Sequence, residues 1–552
     1  MNQTARPHTV LRHLLPLALI LLIAALFRVW LIETDAVSFD SDEAIVGLMA
    51  RHVNQGQPVP TFYYGQDYMG SLDALLVAGG FQLMGASVHS IRYTQLALYL
   101  LALVTAYALA WELTRSRHIA LLTVLLLAIP TSLGVLYTTL TLGGYNEIVI
   151  LGNLILLLGW QVTLGQRDGD LWRWAALGLV MGVGWWVNGA IVTVCLAVGV
   201  SGLRRASIKH WRAYALAGLA FLLGSSPWWL HNFQHDWQAL KFLTGGFGSV
   251  PGQEPVSPLE GAAGLLILGF PAIYGLRHPW AGGYTLTLGL ALAGLVYLLL
   301  ATEMFTDLYA RARYRRRDRQ AATPTPQEHT RRWLWSVFGA FTLIFVFSSF
   351  SDSTGRYLMP VWVPAALGVA LGLERLRRAG WMLAAVALGV LLTFQAAFVI
   401  VAAQTEKGLQ PQLVGRLQTP AQYDAPLLDF LATEGYTHGY ASYWSTYRLV
   451  FRSGETLILD TALPHDESGF KPGGNRYPPY REQVEAAEQV VWITQAFPEL
   501  DAQIENRLAH AEITYRTHDF GPYRIYYAFS EQVAPADLDL NQERPLEEWD
   551  TP

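Results

Sequence analysis

Long apolar stretches separated by short polar ones fill about the first 400 residues, and the pattern changes after that. Runs long enough to cross about 30 Å of hydrocarbon recur at about 14–32, 92–113, 119–137, 148–165, 213–230, 281–301, 333–350, 357–374 and 380–402. A longer run, 174–203, is interrupted by Trp185-Trp186-Val187-Asn188-Gly189 and reads as two short helices meeting at a polar tip. Together these predict about eleven transmembrane helices. Beyond Ala403 no stretch is long enough to span. There, helix-like segments at 424–435 and 480–488 alternate with strand-like runs at Thr456–Asp460 and Val490–Thr494, and Ile513–Thr517 is expected to pair with Tyr523–Phe529 across Gly521-Pro522. Such alternation predicts a small α/β domain. The expected architecture is an all-α polytopic membrane domain over 1–403 followed by a soluble, extracytoplasmic α/β domain over 404–552. No internal repeat is evident.

The loops that collect lysine and arginine face the cytoplasm. Arg115 and Arg117, Arg167 and Arg173, the group Arg204, Arg205, Lys209 and Arg212, and the group Arg375, Arg377 and Arg378 fall in alternate loops. The segment 303–332, with Arg311, Arg313, Arg315, Arg316, Arg317 and Arg319, belongs on the same side and reads as a solvated basic linker. A full crossing at 259–276 would put that linker outside, so Leu259–Tyr274 is expected to be an outer-face interfacial or re-entrant helix. The same parity places the N-terminus in the cytoplasm and the loops 33–91, 138–147, 231–280 and 351–356 outside, together with the tail. Arg6 and Arg12 before Leu14–Leu26 would also suit a signal peptide, but no small-x-small cleavage site follows closely. Phe27-Arg28-Val29-Trp30 instead resembles an interfacial anchor after an uncleaved helix. The expected location is the plasma (inner) membrane, in a multi-pass arrangement.

Composition agrees. Only 15% of the 552 residues are charged and the mean hydropathy is +0.26, which excludes a water-soluble protein over most of the length. The 19 Trp and 26 Tyr suit belts at headgroup level. The single cysteine, Cys195, leaves neither an internal disulfide nor a Cys-based metal site. The net charge of −5 gives no indication of a nucleic-acid partner.

Candidate chemistry concentrates in the first outer loop, 33–91. Phe39-Asp40-Ser41-Asp42-Glu43 precedes an amphipathic pattern with apolar residues at 45, 48, 49 and 53, which predicts a short helix from about Asp42 to Gly56. One reading makes Asp40 or Ser41 the cap, with Asp42 and Glu43 complementing the helix dipole. The other notes three carboxylates within four positions beside a membrane span, where charge is costly unless used or paired. Tyr63, Tyr64, Gln66, Asp67, Tyr68 and Asp73 follow in the same loop and suit a hydroxyl-rich ligand, although the tyrosines also suit an interfacial belt. Two further outer clusters are Gly143-Gly144-Tyr145-Asn146-Glu147 and Asp352-Ser353-Thr354-Gly355-Arg356-Tyr357. Glu147 and Arg356 stand at membrane-entry positions, where ionisable groups are functional candidates and snorkelling is the bland alternative for arginine. Trp186, Asn188 and His231-Asn232 add polar groups to this layer, or simply cap helices.

Taken in order, these segments resemble the GT-C superfamily of membrane glycosyltransferases, in the branch of protein O-mannosyltransferases and lipid A aminoarabinose transferases. The acidic pair of that branch is matched by Asp42-Glu43-Ala44-Ile45-Val46-Gly47-Leu48-Met49-Ala50-Arg51. Its aromatic and glycine-containing stretch is matched by Tyr63-Tyr64-Gly65-Gln66-Asp67-Tyr68-Met69-Gly70-Ser71-Leu72, and its Arg-Tyr-Leu-x-Pro element by Arg356-Tyr357-Leu358-Met359-Pro360. The match extends over about residues 10–400. The chain departs from the branch at Asn188, where members often carry Lys, and at Gln66-Asp67-Tyr68, where they carry acid-Lys-Pro. The tail segment Tyr440–Arg448 resembles appended outer domains of bacterial relatives.

The resemblance implies an inverting sugar transfer from a polyprenyl-phosphate donor to a lipid, glycan or protein acceptor on the outer face. Asp42 is then the general base, with Glu43 orienting it or the acceptor. Asp40, Tyr64, Asp73, Tyr145, Asn146, Asn188, His231, Arg356 and Tyr357 are the substrate-binding candidates, Arg356 and Tyr357 for phosphate. A divalent cation, Mg or Mn, is an optional cofactor, with Asp42 and Glu147 as ligands. A lipid-linked sugar transporter would instead place charges near mid-membrane at broken helices. A non-catalytic sensor or assembly protein would use the tail as its binding module.

Overall fold

The computed structural model describes residues 7–164, 167, 169–203, 210–245, 257–279, 290–301, 326–347, 355–405, 408–410 and 419–549. Most of the basic linker, residues 281–289 of one expected span, and Asp352, Ser353 and Thr354 lie outside the described residues. In chain order the labelled elements are α1 (Pro7–Glu33), α2 (Ser41–Asn54), β1 (Phe62–Tyr63), β2 (Gln66–Gly70), α3 (Leu72–Met84), α4 (Val88–Thr114), α5 (Arg117–Ala128) and α6 (Ser132–Thr139). They continue with α7 (Tyr145–Thr163), α8 (Leu171–Val187), α9 (Val192–Leu203), α10 (Trp211–Gly224) and α11 (Ser226–Gln234). Contacts divide the chain into two compact units.

The first unit holds residues 1–32, 68–70 and 95–404. Among the described residues five helices are long and apolar enough to cross a membrane: Leu14–Glu33, Val88–Thr114, Tyr145–Thr163, Arg356–Ala379 and Trp381–Ala403. The number becomes seven when each of two bent pairs counts as one span. The bends have visible causes. Pro130 ends α5, Thr131 caps α6 through its side chain, and the two helices meet at 77°. Pro227 opens α11, which departs from α10 at 61°. The expected break at Asn188 is present: α8 stops at Val187, a 3₁₀ turn occupies Gly189–Ile191, and α9 begins at Val192. The run read as interfacial or re-entrant is a helix, Pro258–Ile273, with a π-type turn at Leu265–Gly269.

Close approach binds α8 to α10. A Cβ on Gly178 would collide with the carbonyl of Ala217, and one on Gly182 with that of Phe221. This is the small-residue contact that lets helices pack where lipid offers no hydrophobic driving force. Polar bonds add to it elsewhere: Asn153 Nδ2 of α7 donates to Thr105 Oγ1 of α4 at 3.0 Å, and Tyr99 OH donates to the Leu127 carbonyl at 2.7 Å. Arg28 is not an interfacial anchor. Its guanidinium is buried, lies 4.4 Å from the Tyr99 ring centroid, and donates to the Gly134 and Val135 carbonyls and to Thr138 and Thr139 of α6. A buried arginine bonded to two carbonyls and two hydroxyls of another helix is a helix-to-helix tie, which local sequence does not reveal.

The second unit holds residues 33–67, 71–94 and 405–552, so it joins most of the first expected outer loop to the tail. Its sheet has the order β4-β3-β5-β7-β6, from β3 (His438–Ser442), β4 (Ile458–Leu463), β5 (Val491–Gln495), β6 (Arg516–Phe520) and β7 (Tyr523–Tyr527). β3 runs parallel to β4 and β5, while β7 is antiparallel to β5 and β6. The helices are Asp424–Glu434, Tyr443–Arg452, Pro478–Glu485 and Pro498–His510. A C-terminal region of mixed strands and helices is therefore present. Its terminal hairpin pairs Arg516–Phe520, not Ile513–Thr517, with Tyr523–Tyr527, because the turn is tight at Gly521-Pro522 and β6 runs directly up to it. Residues 36–38 attach to the tail through Leu409 N to the Ala36 carbonyl, 2.7 Å, and Ser38 N to the Leu409 carbonyl, 3.1 Å. Phe451 packs against Phe39 and Phe81 with ring centroids 5.6 and 6.1 Å away.

Candidate functional site

In the second unit the acidic turn is built around the start of α2. Asp40 adopts an extended backbone and accepts the Glu43 amide at 3.0 Å, so it is the N-cap. Ile45, Leu48 and Met49 of the expected apolar face are buried. Ser41 Oγ donates to the Tyr443 carbonyl, 2.6 Å, and lies 3.0 Å from that of Trp444, while it accepts the Arg448 amide at 3.3 Å. This fastens the first turn of α2 to the helix Tyr443–Arg452.

The three acids then diverge. Glu43 is fully buried and its carboxylate receives Arg92 Nη2 at 2.6 Å. Asp42 is half-buried and accepts a hydrogen bond from the Tyr443 hydroxyl. Asp40, also half-buried, has its carboxyl pushed up to about 7. Loss of hydration is the larger cause and the negative charge of Asp42 adds to it; the Glu43 amide, Arg92 and Arg448 pull the other way. Tyr443 is raised well above the ordinary phenol range, first by burial and then by Asp42, and therefore stays a hydrogen-bond donor. The Arg476 guanidinium sits 5.6 Å from its ring centroid.

Beside this turn Tyr64 belongs to a chain of polar contacts. His52 Nδ1 is 3.0 Å from the Tyr64 hydroxyl, and His52 Nε2 is 2.8 Å from Glu455 Oε1, which also accepts Tyr480 OH at 2.8 Å. Arg51 pairs with the other Glu455 oxygen at 3.2 Å. Burial alone would raise the Glu455 carboxyl, but the bonds from His52, Tyr480 and Arg51 outweigh it and hold the group at about 2. The Tyr64 ring stacks on Tyr477 at 4.7 Å. Asp73 is buried in the first turn of α3 and accepts Tyr63 OH at 3.1 Å.

The first unit carries the remaining candidates. Gly143 and Gly144 both have positive φ, at 113° and 74°, and turn the chain into α7. Asn188 Nδ2 donates to the Gly143 carbonyl at 3.0 Å, its Oδ1 accepts the Ala190 amide, and its backbone bridges to Met69. The polar tip between α8 and α9 thus supports the glycine turn. Tyr145 and Glu147 are buried there. Tyr137 packs edge-on against Tyr145 at 5.1 Å, and the charged or polar ends of Arg356, Tyr357 and Tyr68 lie within electrostatic reach of the Tyr145 hydroxyl. The Arg356 guanidinium is 5.0 Å from the Tyr357 ring centroid. One cation among phenolic donors is an arrangement suited to phosphate oxygens. Asn146 turns into the protein, donating to Gln95 Oε1 at 2.7 Å and to the Thr138 carbonyl at 3.1 Å. The His231 ring stacks on that of His235 at 4.0 Å.

Sequence reasoning missed Arg92, His52, Tyr443, Arg448 and Glu455, all partners distant in the chain. For Tyr443 a signal existed, since it lies in the aromatic tail segment singled out above. Among the described residues no group of three or more His, Cys, Asp or Glu could hold a metal ion, and the two expected ligands, Asp42 and Glu147, are described in different units.

No family model and no curated protein matches the chain. Solved structures do. ArnT from Cupriavidus metallidurans, bound to undecaprenyl phosphate, superposes with a TM-score of 0.62 at 13% identity, over 93% of this chain and 97% of that one. The Archaeoglobus fulgidus oligosaccharyltransferase AglB, in complex with an inhibitory peptide and a dolichol-phosphate, gives 0.50 at 14% identity over 96% and 75%. A second structure of the Archaeoglobus fulgidus enzyme, with Zn and sulfate, gives 0.50 as well. Both proteins are GT-C superfamily members, and the fold of this chain is the GT-C fold.

Proposed function

We propose that the chain is a glycosyltransferase of the cell envelope, which moves a sugar from a polyprenyl-phosphate carrier to an acceptor hydroxyl on the outer face of the plasma membrane. The observation that carries this reading is the division of labour among the acids of α2. Glu43 is sealed against Arg92, Asp40 caps the helix, and Asp42 stays half-buried with Tyr443 on its carboxylate. The GT-C fold adds support, as do the polyprenyl and dolichol phosphates in the ArnT and AglB structures.

In this reading Asp42 takes the proton of the acceptor hydroxyl as its oxygen bonds to the anomeric carbon. The bond from that carbon to the phosphate oxygen breaks, the polyprenyl phosphate departs with the electron pair, and the configuration inverts. Phosphate is a sufficient leaving group without a general acid, so the second requirement is positive charge and donors for it. Arg356, Tyr357 and Tyr145 fill that role. Glu43 and Asp40 fix the turn that presents Asp42, Tyr64 and Asp73 serve sugar or acceptor recognition, and Asn188 and Asn146 hold the turn leading into Tyr145. His231 is kept as an outer-face contact. No step is routed through a metal. The topology proposed with it has about eleven spans, a cytoplasmic N-terminus, and 404–552 outside.

Transfer of radiolabelled sugar from a panel of polyprenyl-phosphate sugars in proteoliposomes tests this, comparing wild type with Asp42→Asn. Loss of transfer in a folded variant is expected. Undiminished transfer by Asp42→Asn overturns the base assignment, and a wild type inactive with every donor and acceptor overturns the enzyme reading in favour of a sensor or assembly protein. An EDTA arm reads the optional divalent cation: a lost rate gives the ion a part in transfer, and an unchanged rate removes it.

A further inference from the structure

The tail resembles an appendage, yet it reaches the group assigned as the base. The hydroxyl that engages Asp42 belongs to Tyr443, the first residue of the helix Tyr443–Arg452, some four hundred positions further along the chain. We propose that Tyr443 is a positioning residue for Asp42, so that the C-terminal α/β domain completes the catalytic apparatus; the inference rests on Asp42 being the base.

Three observations converge on it. The first is the bond itself. A carboxylate at the end of a two-torsion side chain has a broad rotamer well, and a donor on Oδ1 selects one orientation, which fixes where the remaining lone pairs point. A fixed base is worth more than a wandering one, because rate depends on reacting groups being held in near-attack geometry.

The second observation is that Tyr443 is itself held. Its carbonyl accepts Ser41 Oγ at 2.6 Å, its ring packs edge-on against Trp444 and Tyr447 at 5.0 and 5.7 Å, and Arg476 covers the ring at 5.6 Å. The serine between Asp40 and Asp42 therefore binds the backbone of the residue whose side chain binds Asp42. That closes a short ring, Ser41–Asp42–Tyr443, which transmits the position of the tail helix to the carboxylate within one residue on each side.

The third observation is how the tail helix is anchored. Arg448, five residues after Tyr443, pairs with Asp424 at 2.7 Å, and Arg452 pairs with the same carboxylate at 2.9 Å. Tyr523 OH of β7 donates to Asp424 at 3.0 Å. These groups are buried or nearly so, and they join the helix to the first helix and the last hairpin of the domain. A tail used only as a surface module would have no need to anchor this helix so firmly under the acidic turn.

The test is steady-state transfer by full-length protein in proteoliposomes, using wild type, Tyr443→Phe, Asp42→Glu and the double variant, with Tyr447→Phe as a control from the same helix. Phenylalanine keeps the ring contacts and removes only the hydroxyl. Tyr443→Phe should lower kcat at least about tenfold, within the range of a positioned acid–base group, with KM changed less than twofold and the melting temperature retained. Asp42→Glu keeps a carboxylate in a displaced position, so adding Tyr443→Phe to it should cost less than twofold. Wild-type kcat in Tyr443→Phe overturns the inference and leaves the base assignment standing. Equal losses in both backgrounds overturn it too, because they mark a role independent of Asp42. Full activity in Asp42→Asn overturns the base and this inference together.

Discussion

Arg92 Nη2 lies 2.6 Å from Glu43 Oε2, and both side chains are buried, the glutamate completely. The same nitrogen is 3.3 Å from the Ser38 carbonyl, so the guanidinium ties the acidic turn to the segment that leads into it. Removing one partner of such a pair strands an unpaired charge in a poorly hydrated place, which costs far more than the pair itself contributes. Arg92→Met should destabilise the fold by about 3–5 kcal/mol and abolish transfer through loss of folded protein. Glu43→Gln, which still offers an oxygen to Arg92, should cost less. Chemical denaturation in detergent micelles distinguishes the two; equal stability of Arg92→Met and wild type would mean that the pair does not form.

The glycine turn before α7 makes a second, sharper prediction. Gly143 has φ 113°, its carbonyl accepts Asn188, and a Cβ there would meet the Met69 sulfur at 2.6 Å. Gly143→Ala must therefore strain the backbone and push Met69 aside, for about 1–3 kcal/mol. Gly218, in the middle of α10, would place a Cβ in open space, so Gly218→Ala should be neutral or stabilising by up to about 1 kcal/mol. Melting temperatures of the two variants should move in opposite directions or diverge by several degrees. A tolerant Gly143→Ala would remove the reason for placing Tyr145 and Glu147 by this turn.

These two sites also mark where the sequence was informative. Apolar periodicity located α2 to within two residues of its ends, and the interruption at Asn188 divided α8 from α9 as expected, because each signal is local. Tyr443–Arg452 escaped notice although its sequence is strongly amphipathic, so a helical period was there to be read; what the period does not reveal is that its polar residues Ser445, Thr446 and Arg448 are buried along with the apolar ones. The partners of Glu43 and Arg28 escaped for another reason. A buried charge announces a need for a partner, but the partner's place in the chain is set by topology, and only the fold shows that Arg92 answers one and α6 the other. Arg356 was named from its membrane-entry position and Tyr145 and Tyr357 from the outer polar clusters, whereas their proximity is a property of the fold.

Glu455 ties its neighbours together at a pH-dependent strength. With the carboxyl held at about 2 in the folded protein and near 4.5 when unfolded, its contribution is complete above pH 4.5 and is lost as the pH falls from there toward 2. Wild type should lose stability across that interval more steeply than Glu455→Gln. At pH 7 the glutamine variant should be weaker by about 1–3 kcal/mol, since Arg51, His52 and Tyr480 lose a charged acceptor. Denaturation at pH 7 and pH 3 checks both; identical slopes would show that the carboxylate is not holding the cluster.

Asp40 runs in the opposite direction. Its folded value is raised to about 7 against an ordinary 3.8, so between those limits the folded chain holds a proton that the unfolded chain has released. The stability attached to this group therefore falls as the pH climbs from about 4 to about 7, and it is lowest above 7. Asp40→Asn should erase that slope and gain about 1 kcal/mol above pH 7, because asparagine still caps α2 through its side-chain oxygen and carries no charge to desolvate. Asp42→Asn offers a finer test. Burial is the larger cause of the shift and the charge of Asp42 the next, so neutralising Asp42 should move the Asp40 inflection to lower pH without returning it to 3.8. A full return would make charge repulsion the main cause, and no movement at all would mean that the two carboxyls do not interact.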